Sequence, residues 1–140
     1  MTTIISSNLV LSSEVKAQGN AGVIGYQNVL NVSNVTATSA LATNPITSVA
    51  NPATAYTWKA TSAATQTITI QTSGQQLDYI GIARHNLDQI GLTITVKYNG
   101  ITVIPASSVS SIQAILFLLN EATPDTVEII ITGATAAPQV

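Results

Sequence analysis

The sequence predicts an all-β domain built as an antiparallel β-sandwich, and three observations predict it. Polar residues are dominated by 20 Thr, 13 Ser, 10 Asn and 9 Gln; Thr, with Val and Ile, suits a pleated, half-buried surface and disfavours helix. Apolar and polar residues alternate with period 2 over 65–72 and 92–98, the repeat of a strand with one buried face. Turn signals separate such runs at short intervals, Ser73-Gly74, Asn99-Gly100 and Thr123-Pro124-Asp125 among them, as in a sandwich or barrel.

A chain of 140 residues is sized for one domain and buries a core without staples. The expected layout is a single sandwich with an N-terminal arm over about 1–20 and a C-terminal tail over 133–140. Charged residues make up 7% of the chain, against about 25% in ordinary domains. With a net charge of −2, this excludes the basic footprint of a nucleic-acid binder. An apolar content of 46% argues against charge-driven disorder. The absence of cysteine excludes a disulfide framework and a thiolate metal site. The longest apolar run, 114–119, falls far short of the ~20 residues that span a bilayer, so no membrane insertion is expected. Residues 1–10 lack the basic and long apolar regions of a signal peptide, which implies synthesis in the cytoplasm. The adjacent sequons at Asn31 and Asn34 carry no weight in a chain so rich in Asn and Thr.

Taken in order, residues 4–11 read as a strand or an arm, and 23–35 have strand-like composition broken by Gly and Asn. Residues 36–57, with Asn44-Pro45 and Asn51-Pro52 as turn signals, read as a long loop with little regular structure. From Trp58 the pattern sharpens. In 65–72, Ile68 and Ile70 face the core and Thr67, Thr69 and Gln71 the solvent. Residues 77–83 form the next strand, with Ile80 and Ile82 on one face, and 84–91 a loop. Residues 92–98 alternate cleanly and are followed by Asn99-Gly100 and then 101–104, with Pro105 closing the return strand. Asn-Gly between two such runs marks a hairpin, because a type I′ turn needs φ > 0 at both centres. Residues 107–121 read two ways. Val109, Ile112, Leu116 and Leu119 fall at helical spacing, with Ser110 and Gln113 as a capping box, while 115–119 could equally be a buried strand. Residues 127–132 form the last strand.

Little in the chain points to catalysis or metal binding. His85 is the sole histidine, so no clustered ligand set surrounds it, and no nucleophile-elbow motif is present. Arg84, His85 and Asn86 therefore read as a structural corner satisfying backbone groups where a strand ends, with the ring nitrogens bonded to backbone or to a neighbour such as Asp88. The six acidic residues form no close pair beyond Asp125 and Glu128, and no spaced calcium motif stands out. No cofactor is expected. Trp58, the sole tryptophan, reads as a core plug, because Trp is highly buried on average; the alternative is a sugar-stacking platform. Tyr26, Tyr56, Tyr79 and Tyr98 are too scattered in the sequence to define a sugar site.

The stretches 51–59, 66–70, 78–87 and 91–96, and above all Asp78-Tyr-Ile-Gly-Ile-Ala-Arg-His-Asn-Leu87, resemble virion structural proteins of tailed bacteriophages that carry a galactose-binding-like, or discoidin-like, jelly roll. The resemblance covers about 51–133 and makes 114–119 a strand. It departs from the family at 71–74, where an acidic residue with Leu-Gly would be usual, and after Gly133, where the family tends to add a strand. It implies a non-enzymatic virion component, at the tail tip or baseplate, or as a capsid decoration protein. The charge-poor surface, open edge strands and long termini fit a homo-oligomer held against other virion proteins. The alternative is a carbohydrate-binding module that contacts a host-surface glycan.

Overall fold

The computed structural model describes residues 28–51, 53 and 55–140. The expected N-terminal arm and residues 4–11 and 23–27 lie outside the described residues. Seven strands run in the order β1 (Val35–Ala37), β2 (Gln66–Gln71), β3 (Leu77–Ile82), β4 (Thr93–Tyr98), β5 (Ile101–Ser108), β6 (Ile115–Ala122) and β7 (Thr126–Thr132). A five-stranded sheet has the order β1-β2-β7-β4-β5, and β3 pairs with β6 in a second sheet. Every pairing is antiparallel, and the two sheets form the β-sandwich that the alternation predicts.

The period-2 pattern decides which face is buried. Ile68 on β2, Ile94, Val96 and Tyr98 on β4, and Val127, Ile129 and Ile131 on β7 all point inward and are buried. The register brings them side by side, with Ile68 opposite Ile129 and Ile94 opposite Ile131. From the smaller sheet, Ile80, Ile82, Ile115, Phe117 and Leu119 pack onto the same cluster. Each such aliphatic side chain, fully buried, contributes about 1.5–3 kcal/mol. The helical spacing in 107–121 does not prevail. Residues 115–122 form β6, with Ile80 opposite Phe117 and Ile82 opposite Ile115, and Ile115, Phe117 and Leu119 pack, partly buried, against the core cluster.

Asn99 and Gly100 have φ of 48° and 81° between the paired Tyr98 and Ile101, the geometry that the dipeptide predicts. Asn99 also reaches beyond its own turn. Its Oδ1 accepts from the backbone N–H groups of Asp125 and Thr126, so the β4–β5 hairpin holds the entry to β7.

Three expectations are corrected. Pro105 does not end the return strand, which continues to Ser108. The strand lies at the sheet edge, where a missing N–H is tolerated, and irregular pairing against 94–97 takes up the mismatch. The 36–57 segment is more regular than predicted: it opens on the end of β1 and holds a 3-10 helix at Ile46–Ala50. Residues 133–140 are not a tail free to reach a neighbour. Trp58 and Val140 exchange backbone hydrogen bonds of 2.6 and 3.0 Å, and Ala60 N–H donates to Pro138 at 2.9 Å.

Candidate functional site

The Arg84–Asn86 corner lies between two segments and binds them together. Arg84 takes a left-handed φ of 53°, turning the chain out of β3. His85 is buried. Its Nδ1 accepts the Leu87 N–H at 3.2 Å, and its Nε2 lies 2.8 Å from the Gln113 carbonyl. The first contact makes Nδ1 the acceptor, so Nε2 carries the proton and donates it to Gln113. Of the two partners expected from sequence, backbone or Asp88, it is backbone that both ring nitrogens meet. Asn86 grips the C-terminal segment: its Nδ2 donates to Ala137 and its Oδ1 accepts from Gln139 N–H. Gln89 Oε1 accepts from the N–H groups of Thr135 and Ala136. The side-chain polar groups of His85, Asn86 and Gln89 are thus directed at the protein's own backbone.

Trp58 has no solvent exposure (0%), so its faces are closed to a sugar. Its indole N–H donates to Ser39 O at 2.9 Å. Ser39 Oγ donates to Gln66 Oε1 and accepts from Thr61 N–H, and Gln66 Nε2 donates to Ala64 O. A polar network therefore closes around one edge of the indole, which removes the cost of burying its N–H.

Tyr56, two residues earlier, is 61% exposed and stands at an open cleft of about 430 Å³ lined also by Val32, Pro45, Thr47, Ser48, Ala50 and Asn51. That volume falls within the roughly 300–1,000 Å³ of small-ligand sites. Three local turns build it. The first, around Val32, is stapled by Asn31 and Asn34: Asn31 N–H donates to Asn34 Oδ1, and Asn34 Nδ2 donates to Gln71 O. The second is the 3-10 helix. Pro45 supplies its pre-set φ of −67°, and Ile46 and Val49 anchor it on the core. It ends at Asn51, whose extended backbone (ψ 126°) is what the residue before a proline prefers. In the third, Asn51 Oδ1 accepts the Ala53 N–H at 2.9 Å and Tyr56 N–H donates to Ala53 O at 3.1 Å. This last turn explains why Tyr56 faces out although Trp58 does not. Tyr56 still belongs to the turn, and the extended segment paired with Val140 begins at Trp58.

The cleft lining carries no formal charge, and Lys59 is the one charged residue between 28 and 76. Among the described residues, no group of three His, Cys, Asp or Glu is placed to hold a metal ion. Among the described residues, the one displaced titration lies elsewhere. Burial, and secondarily the charge of Asp78, pushes the Tyr98 phenol up to about 12.

No protein-family model matches the chain, and no curated protein matches it in sequence. Solved structures do match in fold. The chitosan-binding module 1 from the chitosanase/glucanase of Paenibacillus sp. IK-5 aligns at a TM-score of 0.66 with 15% identity, over 81% of this chain and 94% of that one. A CBM32 domain from Clostridium perfringens, in complex with GalNAc-β-1,3-galactose, aligns at 0.57 with 14% identity, over 74% and 88%. The CBM32 of AlyQ, in complex with 4,5-unsaturated mannuronic acid, aligns at 0.57 with 17% identity, over 77% and 91%. At these identities the likeness is one of fold: the chain shares the galactose-binding-like β-sandwich of these carbohydrate-binding modules.

Proposed function

We propose that this chain is a non-catalytic carbohydrate-binding module that holds a glycan in the Tyr56 cleft. The observation that carries the reading is an exposed tyrosine at the wall of an open, ligand-sized cleft, on a fold whose neighbours are sugar-recognition modules. A pyranose ring has an apolar face of C–H groups and a rim of hydroxyls. Tyr56, Pro45 and Val32 offer apolar surface to the face, while Thr47, Ser48 and Asn51 offer polar groups to the rim. Hydrolysis needs paired titratable groups at the scissile bond, and the lining residues supply none, so the cleft is suited to holding a sugar rather than cleaving it. The alternative sequence reading thus displaces the leading one. A role in a phage particle rests on the sequence resemblance over 51–133 alone, and these neighbours lend it no support.

The test is binding of the purified chain to a glycan array, beside Tyr56→Ala. Expected is at least one sugar ligand for the wild type, and a loss of about tenfold or more in affinity for the variant, equivalent to about 1.4 kcal/mol, with an unchanged melting temperature. A wild type that binds no glycan, or a variant that binds as well as the wild type, overturns the proposal.

A further inference from the structure

We infer that the cleft selects a neutral sugar, a hexose or N-acetylhexosamine, over aminosugars and uronates, with the Asn51 amide as its polar anchor. This inference rests on the glycan-binding reading of the Tyr56 cleft and adds the ligand's charge class. The first support is electrostatic. A cationic glucosamine unit gains from a carboxylate and an anionic uronate from Arg or Lys, but among the described residues the cleft is lined by Val32, Pro45, Thr47, Ser48, Ala50, Asn51 and Tyr56, none of them charged. Between residues 28 and 76 the sole charge is Lys59, which is not among the described lining residues. A charged ligand entering the cleft would be partly desolvated without a counter-charge, which is unfavourable.

The second support is the state of Asn51. Its Oδ1 is committed to the Ala53 N–H at 2.9 Å, and its backbone N–H to Ser48 O at 3.1 Å. The Oδ1 bond orients the carboxamide, and the donor that it can offer a ligand is the Nδ2 amide. A neutral donor at the rim of an apolar wall suits a hydroxyl or acetamido oxygen. It offers nothing to an ammonium group, which can only donate.

The same geometry supplies the discriminating variant. Asn51→Asp keeps an oxygen for the Ala53 N–H, so the turn is retained, and it replaces the donor with a negative charge. The experiment measures the wild type and Asn51→Asp against N-acetylhexosamine oligomers of the gluco and galacto series, their deacetylated forms, and the corresponding oligouronates, at 50 and 500 mM NaCl. The expected result for the wild type is preference for a neutral oligomer by about tenfold or more, with affinity insensitive to salt because no ion pair is screened. Asn51→Asp should lose affinity for the neutral oligomer and gain salt-sensitive affinity for the deacetylated one. Wild-type preference for a charged oligomer, or strong salt dependence, overturns the inference while leaving glycan binding intact. An Asn51→Asp variant with wild-type preferences overturns the anchor role. Failure to bind any oligomer in the panel, or any glycan on the array, counts against the underlying reading itself.

Discussion

At the scale of single residues, the interior is apolar with a small set of buried polar groups, and nearly all of those have partners. Gln66 is buried yet bonded through both ends of its amide, and the buried Thr72 hydroxyl donates to the Pro124 carbonyl. Tyr98 is the exception, since among the described residues its buried hydroxyl has no hydrogen-bond partner. Burial stabilises the neutral phenol, as does the negative charge of Asp78, and together they push its pKa from 10.0 to about 12. The folded protein therefore keeps a proton that the unfolded chain releases near pH 10. The stabilising contribution is complete below the unfolded value and is lost as the pH rises from about 10 to about 12. Tyr98→Phe should flatten that alkaline limb relative to wild type. At pH 7 it should leave stability unchanged or raise it by about 1 kcal/mol, because an unsatisfied hydroxyl is replaced by hydrogen. Denaturant titrations of both proteins at pH 7 and at steps up to pH 11.5 measure this. A clear loss of stability in the variant at pH 7 would mean that the hydroxyl is bonded in solution.

At the scale of elements, the strands that were easiest to read are those whose two faces differ in chemistry. β2 and β4 alternate apolar with polar residues, β7 does so apart from Ile130, and each occupies the predicted residues to within one position. β6 was ambiguous because its apolar run is continuous, so strand and helix periods fit it equally well, and only the pairing with β3 resolves it. The Tyr56 cleft could not be read from the sequence. Its wall is made of three turns, at 31–34, 45–51 and 53–56, and long-range packing, not periodicity, brings turns together. What sequence did offer was the density of Asn, Pro and Thr around a tyrosine in 51–57, a signal of turns but not of which aromatic they expose. The junction of β7 with the β4 entry carries a sharper consequence. Gly133 has a φ of 71° and sits against the Gly91 backbone, so an added methyl would collide with the Gly91 carbonyl. Backbone cannot swing aside as a flexible side chain can. Gly133→Ala should therefore cost about 2 kcal/mol or more, combining left-handed strain with a displaced strand end, whereas Gly100→Ala, at φ 81° with open space around it, should cost only the strain. Melting curves of the two variants compare them directly, and equal losses would refute the role given to the close approach.

At the scale of the whole molecule, the sandwich is fastened by a strap. The loop that runs from the end of β3 to β4 and the extended segment from Trp58 lie far apart in sequence, and residues 133–140 touch both. Gln89 holds Thr135 and Ala136. Asn86 holds Ala137 and Gln139, and Trp58 and Ala60 bond to Val140 and Pro138. Pro138 is itself fully buried. Removing Pro138, Gln139 and Val140 would leave the buried Trp58 and Ala60 N–H groups without partners and would open the edge of the Trp58 network. Each such loss costs about 1–3 kcal/mol, which together should lower the melting temperature by about 10 °C or more. The hydrogen bonds that set the cleft, Tyr56 to Ala53 and Ala53 to Asn51, are local and survive the deletion. Well below its melting temperature, the shortened chain should therefore bind its glycan with affinity close to wild type while unfolding far earlier. Calorimetry and glycan titration on the same sample separate the two effects. A deletion that leaves the melting temperature within about 2 °C of wild type would show that the strap does not hold the sheets together.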